Sequence, residues 1–132
     1  MTDILVLAAF FFFIFLFIIG LLWVVVPAMY GLPSRPTHPD RIRAALKLAD
    51  LKEGETLYDL GCGDGRVLVM AAREFGAKAV GIEIGPVQRL VSWVAAKNNG
   101  VSDRVRIEAG NFYQSDVRNA DVVFLYATST EV

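Results

Sequence analysis

Residues 58–66 read Tyr-Asp-Leu-Gly-Cys-Gly-Asp-Gly-Arg, and Glu83 stands 24 residues after Asp59. An apolar run enters a turn with glycine at every second position, a helical pattern follows, and a second apolar run at 78–83 ends on an acid. Glycine at 61, 63 and 65 lets a backbone turn sharply and come close to a ligand with no Cβ in the way. Strand, glycine turn, helix and acid-tipped strand together make a nucleoside-binding βαβ unit. The chain is therefore expected to be α/β, a Rossmann-like doubly wound parallel sheet.

Charge selects the ligand. A dinucleotide sets its pyrophosphate over the glycine turn, at the positive end of the next helix, and such a turn should be neutral or basic. Here Asp59 ends the strand, Asp64 sits inside the turn and Arg66 is the only nearby base. The spacing is Gly-x-Gly-x-Gly rather than Gly-x-Gly-x-x-Gly. A nucleoside bearing cations instead of phosphates suits these acids, and S-adenosylmethionine carries both a sulfonium and an ammonium. A dinucleotide oxidoreductase is the weakest reading.

The remaining elements follow from periodicity and punctuation. Thr37-His38-Pro39-Asp40 resembles a capping box, and Ile42, Ala45, Leu46 and Ala49 follow at helical spacing. Strand 56–60 leads into the glycine turn, and a helix from 64 or 65 runs to Phe75 and stops at Gly76. Pro86 opens another helix, Val87, Leu90, Val91 and Val94 form one face of it, and Gly100 closes it. A third strand is expected at 104–108, and a fourth, buried strand at 121–126. Alternating strands and helices imply a parallel sheet.

Ahead of this domain lies an apolar segment. Residues 4–26 contain no charge and hold six of the nine phenylalanines. As a helix they would span about 35 Å, enough for a hydrocarbon core of about 30 Å. One transmembrane helix is expected. A signal peptide fits less well, because no Lys or Arg precedes the run and no small-x-small site follows it. Asp3 alone precedes the span, whereas Arg35, Arg41, Arg43 and Lys47 follow it. The N-terminus is expected outside and the domain in the cytoplasm, with Trp23 and Tyr30 at the cytoplasmic interface. The expected organisation is an anchor at 1–27, a proline-rich linker at 28–39 and a S-adenosylmethionine-binding domain at 40–132.

Beyond residue 27 the chain carries thirteen bases and thirteen acids, so no basic footprint for nucleic acid exists. Cys62 and His38 are the single cysteine and histidine, which leaves no readable metal centre, disulfide or Ser-His-Asp triad.

Candidate cofactor residues are Asp59, Gly61, Cys62, Gly63, Asp64, Gly65, Glu83, Ile84, Asn111 and Phe112. Asp59 and the turn amides would hold the methionine end. Glu83 would accept both ribose hydroxyls, and Ile84 would pack on the adenine. Asn111 would accept from the adenine amino group and Phe112 would stack on the ring, although Asn after Gly is also ordinary turn chemistry. Residues 127–130, Ala-Thr-Ser-Thr, would face the transferred methyl and contact the acceptor, or form an ordinary turn. No residue stands out as a general base, and positioning of the acceptor supplies much of the rate.

The glycine turn, Glu83 and the strand order resemble class I S-adenosylmethionine-dependent methyltransferases over roughly residues 40–126. The apolar helix, Pro36-Thr37, residues 59–66 and Val80-Gly81-Ile82-Glu83 are most similar to the membrane-anchored protein lysine methyltransferases, which modify the ATP synthase c subunit and the adenine nucleotide translocase. The resemblance implies methylation of a protein lysine; a small or lipid-soluble acceptor is the alternative. Two departures stand out. The family's acid after the third strand is Asn111 here. The family's sheet has seven strands where about four are expected in this chain, which implies a core truncated after the fourth strand and admits a non-catalytic binding domain. The Asn-Pro-Pro-Tyr type motif of amide and base methylases does not follow Tyr126.

Overall fold

The computed structural model describes residues 1–29 and 36–126 of the chain. The described residues form four α-helices and four strands: α1 (Thr2–Met29), α2 (Pro39–Leu48), β1 (Thr56–Leu60), α3 (Arg66–Phe75), β2 (Lys78–Glu83), α4 (Pro86–Asn98), β3 (Val105–Ala109) and β4 (Val122–Leu125). The strands form one parallel sheet in the order β3-β2-β1-β4. This is the Rossmann-like arrangement expected from the glycine turn. It brings the carboxyl ends of β1 and β2 side by side at the centre of the sheet, where Leu60 pairs with Ile82.

One face of the sheet carries the described helices. Ile42 and Leu46 of α2 and Val67, Leu68 and Ala71 of α3 pack with Leu57 and Ala79 in the main core. Ala96 of α4 joins Ala72, Val101 and Val105. Successive strand residues point to opposite faces, so Tyr58, Val80 and Ile82 face the other way. There the β3–β4 connection supplies the cover, through Phe112, Val117 and Ala120.

Local chemistry explains the boundaries. The cap of α2 is His38, one residue past the start of the expected capping box; its Nδ1 accepts from the Asp40 amide at 3.3 Å, and Pro39 opens the helix. Gly76 ends α3 in the left-handed conformation, φ 66°. The start of β4 is pinned to β1 by reciprocal bonds: the Thr56 amide donates to Asp121 and the Asp121 amide donates to the Thr56 carbonyl, both at 2.8 Å.

One expectation is corrected. β4 is not buried on both faces: Phe124 packs against the core, while Val123 and Leu125 stand 46% and 44% exposed. A continuous apolar run cannot say that only one of its faces is covered. On α4 the expected apolar face is exposed at Leu90, Val91 and Val94 and half-buried at Val87, while Gln88, Ser92 and Ala96 are the residues the helix buries. The helix α1 passes through Pro27 and ends at Met29. Half of the expected linker, residues 30–35 with Tyr30 and Arg35 among them, and residues 127–130 lie outside the described residues.

Candidate functional site

The glycine turn is satisfied from within. The Gly61 and Cys62 amides both donate to the Ile82 carbonyl, at 2.8 and 3.2 Å, and the Gly65 amide donates to Cys62 O at 2.9 Å. The Gly63 amide donates to Glu83 Oε2 at 2.9 Å. Bonds to β2 thus take up the Gly61, Cys62 and Gly63 amides, and the turn itself takes up that of Gly65. Carboxylates remain as the distinctive chemistry.

Gly65 adopts φ 81°, a conformation that costs an L-residue roughly 1–2 kcal/mol. A Cβ there would stand 2.9 Å from Ser92 Cα. Ser92 is fully buried, and its Oγ donates to the Gly63 carbonyl at 2.7 Å. α4 therefore clamps the turn from behind. No motif marks Ser92 in the sequence; only its small size at that point of α4 hints at a close approach.

Glu83 is the hinge of the site. Its Oε2 takes the Gly63 amide and its Oε1 the Gly85 amide, each at 2.9 Å. A carboxylate offers about four acceptor positions, so both oxygens keep capacity for a diol. Arg89 reaches back from α4, its Nη1 donating to the carbonyls of Glu83 and Ile84 at 3.2 and 2.8 Å. Arg89 fixes the chain that presents Glu83, again without a sequence signature.

Asp59 is only 4% exposed. Burial, then the charges of Glu83 and Asp64, push its carboxyl up to about 8. Among the described residues no hydrogen-bond donor pairs with it. Asp64 is treated differently. Partial burial pushes its carboxyl up, but the Arg66 side chain and amide outweigh this and hold it below the usual range. Arg66 grips both Asp64 oxygens, with Nη2 to Oδ2 at 2.6 Å, and its Nη1 donates to the Thr37 carbonyl at 3.0 Å. The pair ties the segment before α2 to the turn.

A cleft with about 260 Å³ of empty space is lined by Gly61, Ile82, Glu83, Ile84 and residues 110–113; Asp59, Asp64 and Gly65 are not among its lining residues. Five of the expected site residues line it: Gly61, Glu83, Ile84, Asn111 and Phe112. Gly63 reaches it through Glu83. The Cys62 side chain is turned away, 3.7 Å from Ser92 Oγ, and burial pushes its thiol well above the ordinary range. Asn111 Oδ1 accepts from the Tyr113 amide at 3.0 Å and so caps the single 3-10 turn Phe112–Gln114. The ordinary turn chemistry is thus present at Asn111, in a residue that also lines the cleft. Phe112 packs on the Tyr58, Val80 and Ile82 cluster and forms the apolar wall.

The ANTKMT methyltransferase domain family matches residues 59–131. A protein-lysine N-methyltransferase of Saccharolobus islandicus is 38% identical over 95 residues, 71% of this chain and 59% of that protein. A ribosomal protein L11 methyltransferase of Enterobacter sp. is 44% identical over 88 residues, 66% of this chain and 30% of the relative. An RNA methyltransferase of Salinibacter ruber, solved with S-adenosyl-L-homocysteine, superposes with a TM-score of 0.71 at 42% identity, covering 73% of this chain and 63% of that one. The chain thus spans less than two thirds of the length of each of these relatives.

Proposed function

The chain belongs to the ANTKMT methyltransferase domain family, and from that premise we propose that it is a membrane-attached, S-adenosylmethionine-dependent protein lysine methyltransferase. Asp59 carries the cofactor reading. A buried carboxyl with no donor of its own, pushed up to about 8 by burial and by two other acids, is a site that a cation completes.

The residues present fit the cofactor in kind. Asp59 would take its ammonium and Glu83 its ribose hydroxyls. Ile84 and Phe112 offer apolar faces to the adenine. Bound there, S-adenosylmethionine supplies a methyl already activated by its sulfonium. The chain then has to orient the acceptor and exclude water. A lysine acceptor must arrive as the neutral amine. Lysine is favoured over other acceptors by the Saccharolobus islandicus relative. The thirteen bases and thirteen acids beyond residue 27 weigh against the RNA acceptor named for the Salinibacter ruber structure.

Membrane attachment is supported by α1, whose residues Thr2–Val26 are long and apolar enough to cross a bilayer. The bases at 35, 41, 43 and 47 after the span support a cytoplasmic domain.

The test has two stages. The detergent-purified chain is titrated with S-adenosyl-L-homocysteine by calorimetry beside Glu83→Ala, then incubated with methyl-labelled S-adenosylmethionine and membranes. Binding weakened by the substitution, with label recovered as methyl-lysine, is the expected result. Label in the lipid extract or in RNA would replace the lysine reading. A folded chain that does not bind would overturn the cofactor reading itself.

A further inference from the structure

The helix α4 is inside out for a domain surrounded by water. It buries Gln88, Ser92 and Ala96. It exposes Leu90 at 60%, Trp93 at 49% and Val94 at 40%, together with Val91. These apolar residues lie on one side of the helix at about 100° per residue, where a surface helix in water would carry polar groups. No acid occurs anywhere on α4. Its outward cation, Lys97, stands with Nζ 4.6 Å over the Trp93 ring. The bare residues Val123 and Leu125 of β4 belong to the other side of the sheet and do not adjoin this patch.

The same helix is met by α1, at its buried Gln88. Along the span, Ile19, Trp23 and Val26 are the partly covered positions, a stripe at i, i+4 and i+7, while the rest is exposed. α1 meets α4 here. The junction has a specific bond. Residue 27 is proline and has no N–H, so the Trp23 carbonyl lacks its helical donor. Gln88 Nε2 donates to that carbonyl instead, at 3.0 Å. Ile19 to Val26 is about 10 Å of helix, and it belongs to the apolar run itself. α4 therefore sits level with the end of the span.

We infer that the outer face of α4 lies in the membrane interface, so that the domain rests on the bilayer through Leu90, Trp93 and Val94 as well as through α1. The inference rests on the proposed membrane attachment. Trp is at home at the boundary of head groups and acyl chains. Lys97 can lay its stem along the apolar face and keep its ammonium among phosphates. The pocket wall at Glu83 and Ile84 immediately precedes this helix, so the cleft stands close to the bilayer surface.

Fluorescence of the full chain in phosphatidylcholine vesicles tests it. The chain has two tryptophans, Trp23 and Trp93, so Trp23→Phe and Trp93→Phe isolate each in turn. The main-chain bond to Gln88 survives both changes. Quenching of Trp93 by lipid brominated near the head group, and its protection from acrylamide, are expected. Leu90→Glu with Val94→Glu, both on the exposed face, should cut that quenching several-fold and leave S-adenosyl-L-homocysteine binding in detergent unchanged. Lipid quenching of Trp23 with Trp93 open to acrylamide would overturn the inference and leave the anchor standing. Trp93 shielded from both quenchers would mean that protein covers the face, which also overturns it. Quenching of neither residue by lipid would remove the anchor and the inference with it.

Discussion

Asp59 governs how this site responds to pH. Its folded carboxyl is pushed up to about 8 from an ordinary 3.8, by burial first and then by Glu83 and Asp64. Between those two values the folded chain keeps a proton that the unfolded chain has released. Stability from this group therefore falls as pH rises across the window and levels off above it. Asp59→Asn should flatten that slope and raise the melting temperature at the alkaline end, seen in thermal melts recorded across the window. Ligand binding should run the opposite way. The ligand's ammonium favours the carboxylate, so affinity for S-adenosyl-L-homocysteine should rise with pH toward about 8, with proton release visible as a dependence of the calorimetric heat on buffer. Asp59→Asn should abolish both effects. Glu83→Gln should weaken binding by about 1.5–3 kcal/mol, roughly 10- to 150-fold, because a charged acceptor is lost and the new amide must face a donor at Gly63 or Gly85. The sequence marks Asp59 and Glu83 as candidates because acids at the ends of two strands flank a glycine turn. Ser92, Gln88 and Arg89 stayed hidden. Each acts on a backbone carbonyl, of Gly63, Trp23 or the Glu83–Ile84 segment, and such carbonyls leave no pattern in a sequence.

At the scale of elements, the glycine turn and α4 act as one unit. Gly65→Ala should destabilise the fold by about 2–5 kcal/mol, the left-handed backbone and the overpacking adding together. The Cβ would meet Ser92 Cα, a main-chain atom that no rotamer change can move. Denaturant unfolding measures the loss; an unchanged midpoint would show that α4 shifts at little cost. β1 and β2 fall where the sequence puts them, at Thr56–Leu60 and Lys78–Glu83, because turn residues bound both runs. α4 shows the limit of such readings. Periodicity finds its apolar face through Val87, Leu90, Val91 and Val94 but cannot say what lies against that face. In the structure the domain takes the polar and small residues and leaves the apolar ones outside. β4 carries the same ambiguity, since an apolar run reads alike whether one face or both are covered.

The whole molecule couples a domain of balanced charge to a span of mean hydropathy 3.2. A net charge of −1 over the chain gives little net electrostatic hold on anionic lipid, and what local attraction exists is screened within about 10 Å at 0.1 M salt. The proposed attachment through α1 and the face of α4 is apolar, and apolar burial does not weaken as salt rises. The chain should therefore stay with membranes in concentrated salt and in alkaline carbonate, and leave them only in detergent, as sedimentation would show. Release by salt alone would mean a peripheral protein held by charge, contrary to both apolar surfaces. Orientation follows from a different term. With Asp3 before the span and bases at 35, 41, 43 and 47 after it, the domain should remain on the side where the chain is made. In inverted membrane vesicles, protease should then destroy the domain and spare an epitope placed at the N-terminus. The reverse pattern would put the cleft on the outer side, away from the cytoplasmic supply of cofactor. The orientation also bears on the acceptor: Glu83 and Ile84 stand directly before α4, so a cytoplasmic domain resting on that helix would meet its substrate at the inner bilayer surface.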